Sequence, residues 1–161
     1  MKVEESIVIN RSPEEVFAFL AVRRNDPVWM AAVVESEWLE PAAGDRDAPL
    51  EIGRRGRMVM KIMGRRLEYV DEVTDYEPGW RIAHRTVEGP MKLNTACLTE
   101  PVGDGCRATV VAQTDSFVGG PLGKLANPIV ARLVRRGFRA DLAELKDLLE
   151  ADQAKRAPSD P

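Results

Sequence analysis

Three side chains of this sequence have the types and spacing to act on a carbonyl compound: Tyr69, Asp71 and His84. A phenol and a carboxylate two residues apart on a strand point to one face. There one can orient a carbonyl while the other takes up a proton, as aldol-type cyclisation followed by dehydration requires. His84 is the only histidine, so a proton relay through an imidazole has no other candidate. A plainer reading stands beside it, that of a hydrogen-bonded or solvent-facing strand histidine. Its inward orientation follows from Ile82 facing the core, and a one-residue slip of register reverses it. Thr95 and Asp141 complete the convergent polar groups. Asp141 also has a second reading, as a structural anchor paired with an arginine or a tyrosine hydroxyl.

Positioning these groups falls to a set of strands and one long helix. Between 33 and 115 the pattern predicts strands at roughly 33–40, 52–63, 66–76, 80–87, 90–100 and 106–115. Gly44 to Pro49, Met63-Gly64, Glu77-Pro78-Gly79, Gly89-Pro90 and Gly103-Asp104-Gly105 supply the turns. Connections this short imply an antiparallel meander. A further strand is expected over 2–10, with Val3, Glu5, Ile7 and Ile9 on one side. Ser12-Pro13-Glu14-Glu15 then combines an N-cap, a proline at the first helical position and a capping-box glutamate. Asn25-Asp26-Pro27 repeats the start signal for a second short helix carrying Trp29.

The last element is predicted over 121–151. Leu122, Leu125, Ile129, Leu133, Val134, Phe138, Leu142, Leu145 and Leu149 recur at steps of three and four, an apolar face that calls for a large apolar partner. Arg132, Arg135, Arg136, Arg139 and Lys146 take the opposite side, most simply as a solvated face. Gly119-Gly120-Pro121 releases the chain into this helix, and Pro128 is expected to kink or offset its first turns. Gly137 and Asp141 interrupt the apolar face, where glycine weakens a helix and a carboxylate resists desolvation.

Period-two reading places Met58, Met60 and Ile62, then Leu67, Tyr69, Asp71 and Val73, on one concave face. Ile82 and His84, then Leu93, Thr95 and Cys97, continue it, and Ala108, Val110, Ala112 and Thr114 close it. Small residues on the last strand opposite Gly137 leave space that close packing would otherwise fill. The expectation is an internal pocket, with Trp29, Leu133, Phe138 and Asp141 contributing from the helices. A mostly apolar lining with a few polar groups suits a small molecule. The methionines suit an irregular apolar ligand. The competing expectation is that Phe138, Trp29 and the methionines collapse inward and leave no cavity.

Composition narrows the field. At 161 residues and 44% apolar content the chain is expected to form a single domain over 1–151, with 152–161 as a flexible tail. A net charge of -3 and a pI near 5.4 argue against nucleic acid as the main partner. No signal peptide or apolar run of membrane-spanning length is evident, so a cytoplasmic protein with no integral membrane segment is expected. Asn10-Arg11-Ser12 matches a glycosylation acceptor and reads as chance. Pairing through the Gly103-Asp104-Gly105 turn sets Cys97 opposite about Val110, which keeps it several residues from Cys106 and predicts no disulfide. One histidine and no Cys-x-x-Cys argue against a metal. Val118 and Leu125 break the phosphate-loop pattern around Gly119 to Lys124, and no dinucleotide fingerprint follows a strand. Ser6, Ser36 and Ser116 lack a nucleophile-elbow context. No cofactor is expected, and the chain is read as a monomer or homodimer.

The order of strand, two short helices, six antiparallel strands and long C-terminal helix resembles the START-like superfamily with the helix-grip fold of the birch-pollen allergen. Within it the chain resembles the bacterial polyketide cyclase/dehydrase-like family. The resemblance covers about residues 3–150. It is carried by the stretches from Ile9 to Leu20, Glu72 to Pro78 and Glu100 to Gly105, and by Ala140-Asp141-Leu142. It implies an α+β fold in which a curved seven-stranded antiparallel sheet wraps a long C-terminal helix. It also implies a cavity for a hydrophobic, polyaromatic, polyketide- or lipid-like molecule, with cyclase or dehydratase activity in some branches. The aromatase/cyclases tend to carry tryptophans and an arginine along the corresponding strand, where this chain has Leu67, Tyr69 and Val73. The superfamily also resembles chaperone activators and quinone-binding or ribosome-associated proteins. A non-catalytic carrier or interaction module, using the arginine stripe or the strand edges, is the second reading.

Overall fold

Each predicted strand forms: the six from residue 33 onward pair in succession, and the first pairs with the last. In the computed structural model, which describes residues 1–39, 50–114 and 123–156, the chain begins with β1 (Lys2–Ile9) and α1 (Pro13–Leu20). A single 3-10 turn (Arg23–Asn25) and α2 (Asp26–Trp29) follow. Then come β2 (Val33–Trp38), β3 (Arg55–Ile62), β4 (Arg65–Glu77), β5 (Arg81–Glu88), β6 (Asn94–Val102), β7 (Gly105–Gln113) and α3 (Gly123–Arg156). The turn at 44–49, the Gly119-Gly120-Pro121 break, Leu122 and residues 157–161 lie outside the described residues.

The sheet is antiparallel throughout, in the order β1-β7-β6-β5-β4-β3-β2, and curls into a half-barrel. Two register shifts in β4, between Val70 and Asp71 and between Val73 and Asp75, bend it where it is longest. Met63 and Gly64 both take positive φ in the β3–β4 hairpin, the geometry that a two-residue turn between twisted strands requires. Cys97 lies opposite Val110, as its hairpin predicts, and both cysteines are free thiols. Two boundaries differ from expectation. Residues 90–93 stay off the ladder, consistent with a proline at 90 that has no N–H to donate. Leu93 therefore precedes β6, although its carbonyl accepts a hydrogen bond from Thr86 N at 2.9 Å. Helix α3 continues to Arg156, past the expected end at 151.

Ser12 caps α1, with the reciprocal bonds of a capping box to Glu15. Helix α1 presents Val16, Phe17 and Leu20 to the core. The core gathers at one end of the half-barrel, where Ile9, Val16, Leu20, Trp29, Cys106, Ala108 and Val110 meet Leu142 and Leu145 of α3. Polar ties hold α3 along β1 there. Arg11 donates from Nε and Nη2 to Leu149 O at 2.8 and 2.7 Å. Lys146 Nζ donates to Val8 O at 2.7 Å, and Asn10 N to Glu150 Oε1 at 2.8 Å.

The other end of α3 is different. Over its whole length α3 meets chiefly β1 and α2, and none of β2 to β6 meets it to a comparable extent. Ile129 and Leu133, expected on the buried face, are 66% and 63% exposed. At about 100° per residue both lie roughly 120–180° around the helix from Leu142 and Leu145, so they stand on the side turned away from the buried face, while Val134 and Phe138, on the buried side, are half-buried.

Candidate functional site

The concave wall opposite this uncovered helix carries a buried polar cluster. Its geometry follows from one row of the ladder: Trp38 of β2 lies opposite Gly56 of β3, which lies opposite Asp71 of β4. Arg23, from the 3-10 turn, reaches across Gly56 to Asp71 and donates from Nη1 and Nη2 to the two carboxylate oxygens, each at 2.6 Å. A Cβ at position 56 would stand 2.1 Å from Arg23 Nη1, so the crossing requires glycine. The guanidinium also lies 4.8 Å from the centre of the Trp38 ring, a distance that Arg54 matches. Arg23 is 5% exposed and Asp71 8%.

A second carboxyl joins through the adjacent row. Ser36 lies opposite Met58, which lies opposite Tyr69. Ser36 Oγ accepts from Arg23 Nε at 3.0 Å and donates to Asp26 Oδ2 at 2.6 Å. The two carboxyls titrate in opposite directions. Burial raises Asp26 to about 6, against the hydrogen bond from Ser36 and the charge of Arg23. Burial acts on Asp71 in the same sense, but the hydrogen bonds and charge of Arg23, with a lesser effect of the nearby His84 imidazole, hold it at about 2. At neutral pH Asp71 is an anion already occupied by Arg23.

His84 stands on the inward face of β5. Its Nδ1 lies 3.4 Å from Asp71 Oδ1, close enough to feel its charge but without the alignment of a hydrogen bond. Its ring is 6.2 Å from that of Trp38. His84 Nδ1 and Trp29 Nε1 are both buried without a hydrogen-bond partner among the described residues. Such orphans are uncommon in native interiors. Tyr69 is also buried, and burial raises its phenol above the ordinary value.

The sequence-predicted residues do not all come together. Tyr69, Asp71 and His84 come together on one wall with Met58 and Met60, and Ile82, Thr95, Cys97 and Val110 continue it across β5, β6 and β7. The Cys97 thiol is pushed up to about 12 by burial and by the charge of Asp26. Trp29 belongs to the packed core, and Phe138 packs against it. Leu133 and Gly137 stand uncovered on α3, and a Cβ at Gly137 would meet nothing within 4 Å. Ile62 is exposed at the β3–β4 hairpin end, where little covers it, and Leu93 is half-buried ahead of β6. Asp141 is an anchor of a kind not expected: its Oδ1 accepts from Ala31 N at 3.1 Å, tying α3 to the loop after α2.

Sequence reasoning missed Arg23, Asp26, Ser36 and Trp38 as site members. Asp26 reads as part of a helix-start signal, yet Asn25 makes no side-chain cap and Asp26 turns into the core. Gly56 was the available signal, because an isolated glycine within a strand marks a close approach by another group.

A half-barrel sheet held against a long C-terminal helix, with two short helices after the first strand, defines a START-like helix-grip protein. The chain belongs to the polyketide cyclase/dehydrase and lipid transport family, whose model matches residues 1–150. Among solved structures it is similar to TTHA0849 from Thermus thermophilus, with 18% identity over 94% of this chain and 99% of that one and a TM-score of 0.76. The Zhui aromatase/cyclase from Streptomyces sp. R1128 is also 18% identical, over 100% and 99% of the two chains, with a TM-score of 0.72. A START superfamily protein from Mycobacterium smegmatis reaches a TM-score of 0.59 at 18% identity, over 87% and 97%. These likenesses show the shared fold. No curated protein matches the chain. The family description, cyclase/dehydrase and lipid transport, supports a fold that binds hydrophobic ligands. Among the described residues no helix is long and apolar enough to cross a membrane.

Proposed function

We propose that the chain binds a hydrophobic, partly aromatic, polyketide- or lipid-like molecule in the cleft between the concave wall of the sheet and the first half of α3. The observation that carries this reading is the open space beside Gly137, where a Cβ would meet nothing within 4 Å, together with a sheet wall that is apolar around a buried polar cluster. Met58 and Met60 provide adaptable apolar contact. Tyr69 and the unpartnered His84 Nδ1 are the groups to meet an oxygen function of the ligand. Asp71 and Arg23 hold the wall in shape.

The reaction that fits this arrangement is cyclisation with loss of water, for which both the family description and the aromatase/cyclase neighbour provide support. Tyr69 would orient a carbonyl and His84 would take up a proton. Asp71, already bound to Arg23, is not the base.

Titration with 1-naphthol, followed by protein fluorescence, tests the location of binding. Gly137→Leu places a side chain in open space and should keep the fold while weakening 1-naphthol binding at least about tenfold. Undiminished affinity in a folded Gly137→Leu protein rules out the cleft as the site.

A further inference from the structure

A second face of α3 is uncovered as well, and it is charged. Arg132, Arg135 and Arg136 are exposed, and none has an ion-pair partner among the described residues. Their cationic neighbours are engaged. Lys2 holds Glu4 at 2.6 Å, and Arg139 holds Glu5 through bonds of 2.8 and 3.1 Å. The amino group of Met1 donates to Thr114 O. Together they flank a groove of about 680 Å³ between the start of β1 and α3. A chain of net charge -3 thus keeps three guanidinium groups without an ion-pair partner among the described residues within two turns of one helix.

Ile129 and Leu133 stand next to them. Arg132 follows Ile129 by three residues and Arg136 follows Leu133 by three, so each pair is adjacent on the helix surface. Both apolar side chains are more than half exposed. A soluble polyanion would satisfy the arginines and leave Ile129 and Leu133 in water. An anionic lipid surface satisfies both, with phosphate at the headgroups and hydrocarbon a few ångströms below.

We infer that this face of α3 docks on anionic phospholipid membranes. Arg132, Arg135 and Arg136 meet headgroup phosphates, and Ile129 and Leu133 enter the acyl boundary. The cleft-facing residues Gly137 and Asp141 lie on the adjoining side of the same helix, so docking brings the cleft mouth toward the bilayer. The surface is distinct from the cleft, and its test does not depend on ligand binding.

The full chain is sedimented with vesicles of phosphatidylcholine alone and of phosphatidylcholine mixed with phosphatidylglycerol. Binding is expected only to the anionic vesicles, with release as salt is raised. Removing two charges in R132Q/R136Q should weaken that binding roughly thirtyfold. I129S/L133S should weaken it at least about tenfold while circular dichroism stays unchanged, because both positions are exposed. Absence of binding to the anionic vesicles, or equal binding to both, overturns the inference. Full binding by I129S/L133S also overturns it, since the face would then be an electrostatic surface for acidic macromolecules.

Discussion

The two halves of α3 meet the same sheet in opposite ways. Beyond Phe138 the helix is locked down, with Leu142 and Leu145 buried in the main core and polar bonds from Arg11 and Lys146 tying it to β1. Before Phe138, Ile129, Leu133 and Gly137 are exposed, and the polar cluster on the sheet is held together by the ion pair of Arg23 and Asp71. Close packing and a binding cleft cannot occupy the same volume. The chain separates them along one helix, with stability concentrated at one end and function proposed at the other.

The sharpest way to break this contrast is through the buried ion pair. Asp71→Asn removes the anion that compensates Arg23 in a buried site, and a loss of about 3–5 kcal/mol in denaturant unfolding is expected. A change below about 1 kcal/mol would mean that water or another group compensates Arg23. Next comes the pair Leu145→Ala and Leu133→Ala. The same truncation on one helix should lose about 2–5 kcal/mol at the packed end and less than about 0.5 kcal/mol at the open end. Similar losses would show that the open end is packed in solution.

Smaller and dependent on pH is the effect of Asp26. Its carboxyl is at about 6 when folded against 3.8 as the ordinary value, so the folded state holds the proton more tightly. The resulting penalty is absent below about pH 4 and grows as pH rises through 6. Asp71 has the opposite sign, contributing stability above about pH 4 that is lost as pH falls toward 2. Asp26→Asn should therefore raise stability at pH 8, by up to about 3 kcal/mol, and remove the decline between pH 4 and 7. An unchanged pH profile would show that Asp26 titrates normally.

Local chemistry made most of the architecture legible. The capping box at Ser12, the Met63-Gly64 turn and the alternation through Tyr69, Asp71 and Val73 each specify their element from a few neighbouring residues. The same alternation put Tyr69, Asp71 and His84 on one wall. The partners of that wall were not legible, because Arg23 meets Asp71 across 48 residues and no local pattern records such a pairing. Only Gly56, kept free of a side chain where Arg23 crosses, leaves a trace in the sequence. Ile129 and Leu133 illustrate the complementary limit: steps of three and four drift around a long helix, so residues grouped by such steps end up on the side away from Leu142 and Leu145 and stay exposed.

The most direct test of the cleft is mass spectrometry of the purified protein, native and then denatured. A hydrophobic small molecule retained in the native protein and released on unfolding, and no longer retained in folded Gly137→Leu, is the predicted result. A molecule retained equally by folded Gly137→Leu would contradict the assignment of the cleft between the sheet and α3.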